Sequence, residues 1–399
     1  MAKRSVPDVL RRPLVVAPMA GGPSTPELVI AAAGAGALGF LAAGYKTPAA
    51  MAAEIAAVRA ATAEPFGVNV FVPGAPATDA RALAGYLGSL AADAWSVGAP
   101  LGQPAWDDDD FDGKIAVLLA DPPPMVSFTF GCPPATLISA LSGAGCLVAV
   151  TVTDPGEAAI AAAAGAGALC VQGLEAGAHR GTFASDGAAE HGHGLISLIG
   201  EIAAVTALPQ IAAGAIMDPD QVAAALAAGA VAVQCGTAFL RCPESGAHPL
   251  YKSALVDPRY TATTLTRAFS GRWARGLVNG FIRDHADAPA AYPEINNATR
   301  PLRAAAAAGG DTERMSLWAG QGYRAARDRP AAEIIEWLCP RTRLPPACDL
   351  LPVMQSRLPP QMVPFCPART RPASPRRRYR VPLGTLWEPL RAHVTPDGI

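Results

Sequence analysis

Short apolar runs alternate with alanine-rich amphipathic segments along the first 240 residues. A glycine-, proline- or polar-rich turn separates each run from the segment that follows it. Because parallel strands covered on both faces are apolar throughout, each run predicts a buried strand and each following segment a helix. The predicted strands are residues 14–19, 37–42, 66–71, 125–131, 146–152, 168–171, 208–216 and 231–235.

Four of the predicted helices begin at a Thr-Pro or Asp-Pro pair, which supplies an N-cap side chain and a proline at the first helical position. These pairs begin at Thr25, Thr47, Asp154 and Asp218. Further helices are predicted over 77–97, 134–141 and 194–206. Eight strand–helix units are the number in a (β/α)8 TIM barrel, whose active site lies at the carboxyl ends of its strands.

The alternative fold is an open doubly wound sheet. Such a sheet would carry a G-x-G-x-x-G turn after the first strand and an acidic residue at the end of the second. The sequence has neither feature. A barrel is therefore the preferred prediction.

The pattern divides the chain into three regions. Residues 1–240 form the predicted barrel, and residues 241–338 form a lid or insertion that ends in a helix-like run, Glu313 to Leu338. Residues 339–399 are rich in proline and arginine and lack periodicity, which predicts a poorly ordered tail. Within the barrel, the acidic run 107–110 is interpreted as a solvated loop.

Composition narrows the class of protein further. The chain is 51% hydrophobic and 16% charged, so it can bury a large core, and its net charge of −1 argues against a nucleic-acid partner. Eight cysteines show no C-x-x-C spacing, which favours reduced thiols in a cytoplasmic protein. No apolar run reaches membrane length. A monomer or homodimer is expected.

The turns after the seventh and eighth predicted strands are typical of a phosphate site. Ala213-Gly214 follows one strand, and Gln234-Cys235-Gly236-Thr237 ends the other. Barrels bind phosphate at these two loops, where glycine exposes backbone N–H groups and a threonine can add a hydroxyl. Tight turns that happen to use glycine are the alternative.

The loop after the sixth predicted strand carries the best candidate for acid–base chemistry, His179. Glycines at 173, 177 and 181 predict room for a flat ligand against bare backbone. His191 and His193 lack a third metal ligand, so no metal is expected. Cys132 has no paired histidine and is interpreted as a structural residue rather than a nucleophile.

Two amides, Asn69 and Gln172, interrupt otherwise apolar strand ends. They could pair with the edge of a heteroaromatic ring or with loop backbone. Ala17-Pro18-Met19 at the end of the first strand would provide an apolar wall beside such a ring. A ring that bears a phosphate suggests FMN as the cofactor.

From about residue 10 to 335 the sequence resembles the nitronate monooxygenases. The motifs that carry this resemblance are residues 17–22, 66–69, 172–183, 213–214, 234–237, 270–272 and 316–321. The resemblance implies an FMN barrel in which His179 is the catalytic base. It also implies cofactor contacts from Asn69, Gln172, Gly177, Gly214, Gln234, Gly236 and Thr237. Ala178 stands where such loops commonly have glycine.

The function expected from these features is oxidation of an alkyl nitronate, for example propionate 3-nitronate, by O2 to a carbonyl compound and nitrite. Arg272 and Arg275 are candidates to bind the negative nitro group. A flavin-dependent enoyl-thioester reductase that uses NAD(P)H is the first alternative. A non-catalytic FMN-binding barrel is the second.

Overall fold

A computed structural model of the protein describes residues 4–184 and 192–340. The predicted tail is described only at Cys339 and Pro340; its remaining residues lie outside this part of the chain, as does His191. Cys339 is buried, and its carbonyl accepts a hydrogen bond from Arg12 at 2.7 Å.

Eight parallel strands form a closed barrel, which confirms the predicted fold class and excludes the open sheet. The barrel closes where the last strand pairs with the first, with Leu14 opposite Val233. The barrel strands are β1 (Leu14–Val16), β2 (Leu38–Ala42), β3 (Gly67–Phe71), β4 (Met125–Thr129), β5 (Leu147–Val152), β6 (Ala168–Gln172), β8 (Gln210–Ala213) and β9 (Ala232–Cys235).

Side chains fill the interior of the barrel at its amino-terminal end. Val15, Phe40, Leu147 and Ile211 belong to one buried cluster there. Gly67 makes room for the largest of these side chains, because a Cβ at this position would overlap the Phe40 ring. The barrel floor is therefore solid, and space for a ligand remains only toward the carboxyl ends of the strands.

The helices surround the barrel and pack on its outer face. Those that begin at the four predicted pairs have the expected caps, for instance Leu28 N–H to Thr25 Oγ1 at 3.0 Å and Gln221 N–H to Asp218 Oδ1 at 2.8 Å. The helices up to β9 are α1 (Pro26–Gly34), α2 (Pro48–Ala61), α3 (Ala80–Ser89), α4 (Ala91–Val97), α5 (Phe111–Ala120), α6 (Ala135–Gly143), α7 (Pro155–Ala163), α8 (Leu195–Ala203) and α9 (Pro219–Ala227).

Three details differ from the sequence prediction. The helix predicted over 77–97 is two helices, α3 and α4, joined at Leu90, and α5 was not predicted. The seventh barrel strand was predicted over 208–216, yet β8 is shorter, because the apolar residues beyond it belong to a loop at the barrel mouth.

The acidic run 107–110 is also less solvated than predicted. Asp109 is only half-buried but forms an ion pair of 2.7 Å with Lys114, whose side chain is fully buried. It also accepts the Tyr45 backbone N–H at 2.9 Å. This loop therefore ties α5 to the turn that follows β2.

The region after β9 adds a small antiparallel sheet and further helices near the barrel mouth. Strand β11 pairs on one side with β10 and on the other with β7, the two-residue strand that contains His179. The elements are β7 (Ala178–His179), α10 (Pro249–Ala254), β10 (Thr263–Thr266), β11 (Ala274–Leu277), α11 (Gly280–Asp284), α12 (Glu294–Ala308) and α13 (Ala331–Leu338).

The helix-like run predicted from Glu313 to Leu338 is wrong over most of its length. Only α13 is an α-helix there, and Gly276 forms a β-bridge with Trp318 within the run. Helix α13 contacts α1 and α9, so it occupies the place of the eighth barrel helix. The residues between β9 and α13 therefore form an excursion inserted before the barrel is completed.

The six cysteines among the described residues are free, and five of them are buried. No helix in the two described ranges has the length and apolar character that crossing a membrane requires.

Candidate active site

One cavity of about 630 Å³ opens at the carboxyl ends of the barrel strands. Its volume lies in the range of small-molecule sites. His179 and all twelve residues predicted to contact a cofactor line this cavity. They are Ala17, Pro18, Met19, Asn69, Gln172, Gly177, His179, Ala213, Gly214, Gln234, Cys235, Gly236 and Thr237.

Unpaired backbone donors line part of the cavity. The N–H groups of Gly214, Ala215, Gly236 and Thr237 have no hydrogen-bond acceptor among the described residues. Gly214 has φ +151°, and Ala215, at φ +50°, continues the left-handed backbone. Thr237 Oγ1 accepts the Gly320 N–H at 3.0 Å, which leaves its own hydrogen free to donate. Donors of this kind fit an anion such as a phosphate.

The four amide side chains that line the cavity, those of Asn69, Gln172, Gln234 and Asn296, already have partners within the chain. Gln172 Nε2 donates to the His179 carbonyl at 2.9 Å, and its Oε1 accepts the Gly181 N–H at 2.8 Å. Asn69 Nδ2 donates to Ser127 Oγ and Thr129 Oγ1. For Gln172, the geometry is thus the loop-backbone arrangement that was the alternative interpretation. Asn69 keeps its Oδ1 free of a protein donor within the described part of the chain.

The three loop glycines are required for packing within the protein, a reason that the sequence did not indicate. A Cβ at Gly177 would overlap the Gly320 nitrogen, and one at Gly181 would lie 2.6 Å from Thr151 Cγ2. A Cβ at Gly173 would lie 2.5 Å from Glu175 Oε2. Of the three, Gly177 also lines the cavity, so room there for a ligand against bare backbone stays a prediction.

His179 also lines the cavity, and aromatic rings surround it. The ring centroids of Phe130, Tyr292 and Trp318 lie 5.7, 5.7 and 5.5 Å from the imidazole. Its Nε2 is 2.9 Å from Ser270 Oγ. Burial, followed by the charges of Arg272 and Arg303, lowers the pKa of His179 to about 3. The imidazole is therefore neutral at physiological pH.

Three arginines hold the loop that presents His179. Arg180 Nη1 donates to the Gly173 carbonyl at 2.8 Å, and Arg275 donates to the Leu174 carbonyl. Arg272 donates to the carbonyls of Arg180 and Thr182, and its guanidinium lies 4.0 Å from the Phe130 ring centre.

Neither arginine predicted to bind substrate lines the cavity. Arg275 faces the loop, whereas Arg272 lies behind Phe130, where its charge still reaches His179. Burial lowers the pKa of Arg272 to about 10, so it stays charged at neutral pH.

Two other arginines do line the cavity, Arg300 and Arg303 on α12. Sequence reasoning missed them because α12 is alanine-rich and contains Pro301, so its pattern did not predict a helix. Among the described residues that line the cavity there is no aspartate or glutamate. The cavity is therefore positively charged, which favours anionic ligands.

Of the other residues singled out in the sequence, Cys132 and His193 do not line the cavity, whereas Ala178 does. Cys132 is only partly buried, its Sγ lies near the Pro133 carbonyl, and burial raises its pKa, which disfavours the thiolate. His193 Nδ1 is 2.7 Å from Glu201. Ala178 borders the cavity with φ +63°, a backbone conformation that glycine adopts more readily.

The closed barrel and the cavity at its mouth define a (β/α)8-barrel enzyme with its site at the carboxyl ends of the strands. A family model for nitronate monooxygenase matches residues 5–341. The chain belongs to the nitronate monooxygenase family and is therefore an oxidoreductase.

Curated relatives agree with this assignment. Nitronate monooxygenase of Pseudomonas aeruginosa is 41% identical over 347 residues, which cover 84% of this chain and 97% of the relative. The Paraburkholderia phytofirmans enzyme of the same name is 40% identical and covers 82% of this chain and 91% of its own.

Solved structures give the same fold. Nitroalkane oxidase from Streptomyces ansochromogenes has a TM-score of 0.81 and 48% identity, covering 88% of this chain and 99% of that one. FabK from Thermotoga maritima is more distant, with a TM-score of 0.60 and 27% identity over 88% of this chain and 96% of its own.

Proposed function

We propose that this protein oxidises alkyl nitronates, such as propionate 3-nitronate, with bound FMN and O2. In the balanced reaction, two nitronate anions and one O2 give two carbonyl compounds and two nitrite ions. The observation that carries the proposal is a positively charged cavity that is lined both by a neutral histidine and by unpaired backbone donors. The Streptomyces neighbour, a nitroalkane oxidase, supports chemistry on a nitro compound.

The residues at the cavity fit a flavin mononucleotide, and the family is flavin-dependent. The N–H groups of Gly214, Ala215, Gly236 and Thr237 would hold the phosphate, and the Thr237 hydroxyl would add a donor. Asn69 and Gln234 would face the ring, with the apolar wall of residues 17–19 beside it. Bound FMN supplies electron transfer between the nitronate and O2.

The chain's own charges favour the anionic form of the substrate. Arg300 and Arg303 border the cavity, and Arg272 lies close behind it. Because the lining described by the structure includes no carboxylate, these charges have no acidic side chain at the cavity surface to neutralise them. A nitronate provides the negative charge that this environment lacks.

The protonation state of the His179 imidazole depends on whether an anionic substrate is bound. At rest it is neutral, since burial and nearby arginines disfavour the imidazolium. A bound nitronate would offset those arginine charges, although not the burial that is the larger cause of the low pKa, and would therefore favour a proton on the ring that can be donated to the anion. With a neutral nitroalkane, the ring would take the α-proton instead.

The test begins with the purified protein, which should be yellow and release FMN on denaturation. O2 consumption with propionate 3-nitronate should fall on the order of 10- to 100-fold in His179→Asn, because the variant loses the hydrogen bond from the ring to the anion. His193→Asn is the matched control, since His193 lies off the cavity. Full activity of His179→Asn would remove His179 from the mechanism.

Anaerobic mixing separates the proposed reaction from the alternatives. Bleaching of the flavin by nitronate but not by NADPH supports the proposal, whereas rapid bleaching by NADPH indicates an enoyl-thioester reductase. Bound FMN with neither reaction indicates a non-catalytic barrel. A cytoplasmic location is part of the proposal, because the described cysteines are free thiols.

A further inference from the structure

Ser270 contacts His179 although the two residues are far apart in the chain. Ser270 is fully buried, and its Oγ lies 2.9 Å from Nε2 of the imidazole. The same Oγ lies 3.1 Å from the Arg272 carbonyl oxygen and 3.4 Å from the Arg272 nitrogen. A single hydroxyl hydrogen must therefore serve either the carbonyl or the imidazole.

The turn that carries Ser270 is tightly held. The N–H groups of Ser270 and Gly271 both donate to the Arg267 carbonyl. Gly271 has φ +79°, and a Cβ there would overlap the Ala291 carbonyl oxygen. Ala291 in turn donates its N–H to the Gly271 carbonyl at 3.1 Å. The hydroxyl therefore has little freedom to move away from the imidazole.

The Arg272 carbonyl decides where the hydroxyl hydrogen points. Arg272 is buried, and Ser270 Oγ is the one hydrogen-bond donor to its carbonyl within the described residues. A buried carbonyl without a donor is costly, so the Ser270 hydrogen stays on this oxygen. Ser270 Oγ then accepts from the imidazole, which requires the hydrogen of neutral His179 to be on Nε2.

The other ring nitrogen is consequently a bare acceptor. Nδ1 of His179 has no hydrogen-bond partner within the described residues, and the residue lines the cavity. Nδ1 is not among the side-chain nitrogen and oxygen atoms that are both fully buried and unpaired, so its surface is accessible from the cavity. Nδ1 is therefore the nitrogen that a ligand in the cavity can reach.

We propose that Ser270 is a positioning residue that fixes His179 as the Nε2–H tautomer, so that Nδ1 receives the α-proton of a neutral nitroalkane. This inference rests on the proposed function and adds neutral nitroalkanes to its substrates. In the step, the α-C–H bond breaks and its electron pair stays on the resulting nitronate. The proton forms the Nδ1–H bond, and the Nε2–H of the imidazolium still donates to Ser270.

The tautomer is measurable without any turnover. Long-range proton–nitrogen NMR of the oxidised holoenzyme, labelled with ¹⁵N-histidine, distinguishes Nε2–H from Nδ1–H rings. The signal of His179 among the six histidines is the one lost in His179→Asn. We expect Nε2–H in the wild type and a mixture of tautomers in Ser270→Ala.

The positioning role of Ser270 is tested by comparing kcat for a neutral nitroalkane with kcat for its nitronate anion. Ser270→Ala should lower kcat for neutral nitroethane about tenfold or more. It should lower kcat for pre-formed ethyl nitronate at most about threefold, because that anion needs no α-proton removed. Thr299→Val is the matched control, since Thr299 is a buried hydroxyl that donates to the Phe269 carbonyl of the same turn without contacting His179.

Three results would overturn the inference. One is an Nδ1–H ring in the wild type, a reading that does not depend on whether Ser270→Ala folds. Another is an equal decrease in kcat of Ser270→Ala for nitroethane and for ethyl nitronate. The third is a wild type that oxidises the nitronate but not the nitroalkane. A wild type that oxidises neither form refutes the proposed function, and the NMR measurement then still decides the tautomer by itself.

Discussion

The two nitrogens of His179 have different surroundings, and this difference governs its chemistry. Nε2 lies against Ser270, whereas the environment of the ring as a whole disfavours a positive charge. The pKa of the folded state, about 3, is well below the ordinary value of 6.5. The unfolded chain therefore binds a proton between these two values where the folded chain does not, so the folded state loses stability as the pH falls through this window.

The pH dependence of stability tests this residue directly. Between pH 8 and pH 5, the flavin-free wild type should lose more free energy of unfolding than His179→Asn, by up to about 2 kcal/mol. Urea denaturation of both proteins at the two pH values measures the difference. Equal losses in the two proteins would show that burial and the charges of Arg272 and Arg303 do not suppress the charge on the ring.

Much of the cavity was predictable from single residues. Asn69 interrupts an apolar strand and Gly236 directly follows one, and both line the cavity. This is expected, because the site of a (β/α)8 barrel lies at the carboxyl ends of its strands. The place of Arg272 and Arg275 was not predictable, because their guanidinium groups bond to carbonyls of a loop about a hundred positions earlier. The contact of Ser270 with His179 depends on the same long-range packing.

Among the elements, the segment that follows β6 is held by the segment around residue 320. Gly320 donates its N–H to Thr237, and Gln321 donates to the Glu175 carbonyl at 3.1 Å. Gly177 allows this approach, since a side chain there would displace the backbone of Ala319 and Gly320. One contact therefore joins the histidine loop to the turn after β9.

Gly177→Ala should disturb both the histidine loop and the turn after β9. We expect a loss of about 1–3 kcal/mol in the free energy of unfolding, as for other overpacked sites, together with weaker FMN binding. Urea denaturation and fluorescence titration with FMN measure the two effects. Gly200→Ala on α8, where a Cβ meets nothing within 4 Å, is the control and should not destabilise the protein. Unchanged stability in Gly177→Ala would contradict this packing.

The elements of the barrel were easier to predict than those outside it. Buried parallel strands are apolar in every position, as in β5, and four helices begin at Thr-Pro or Asp-Pro caps. Helix α12 has no such signals, because Pro301 lies inside it and alanines fill its last turns. Residues 313–330 were predicted as part of a helix, but the tertiary structure holds them as loop and short 3₁₀ turns instead.

On the scale of the whole molecule, the cavity joins residues from Ala17 to Trp318. A ligand bound there contacts most of the barrel strands together with α12. Its binding energy therefore stabilises the folded chain as a unit rather than one loop.

Flavin should raise the thermal stability of the protein. FMN at one hundred times its Kd should add about 2.7 kcal/mol, a rise of roughly 4 °C in Tm, to flavin-free protein. Differential scanning calorimetry measures the rise. Riboflavin at the same concentration should give a smaller rise, because it has no phosphate for the N–H groups of Gly214 and Gly236. Equal rises would contradict the phosphate site.

The position of α13 has a consequence for synthesis of the protein. Strand β9 ends at Cys235, and α13, which packs between α1 and α9, begins at Ala331. At about 5–20 residues per second, a ribosome needs roughly 5–20 s to make the intervening chain. During that interval the nascent barrel has every strand but an uncovered apolar seam. Chaperones that bind exposed apolar surface therefore have a defined window in which to act on this chain, and α13 ends it.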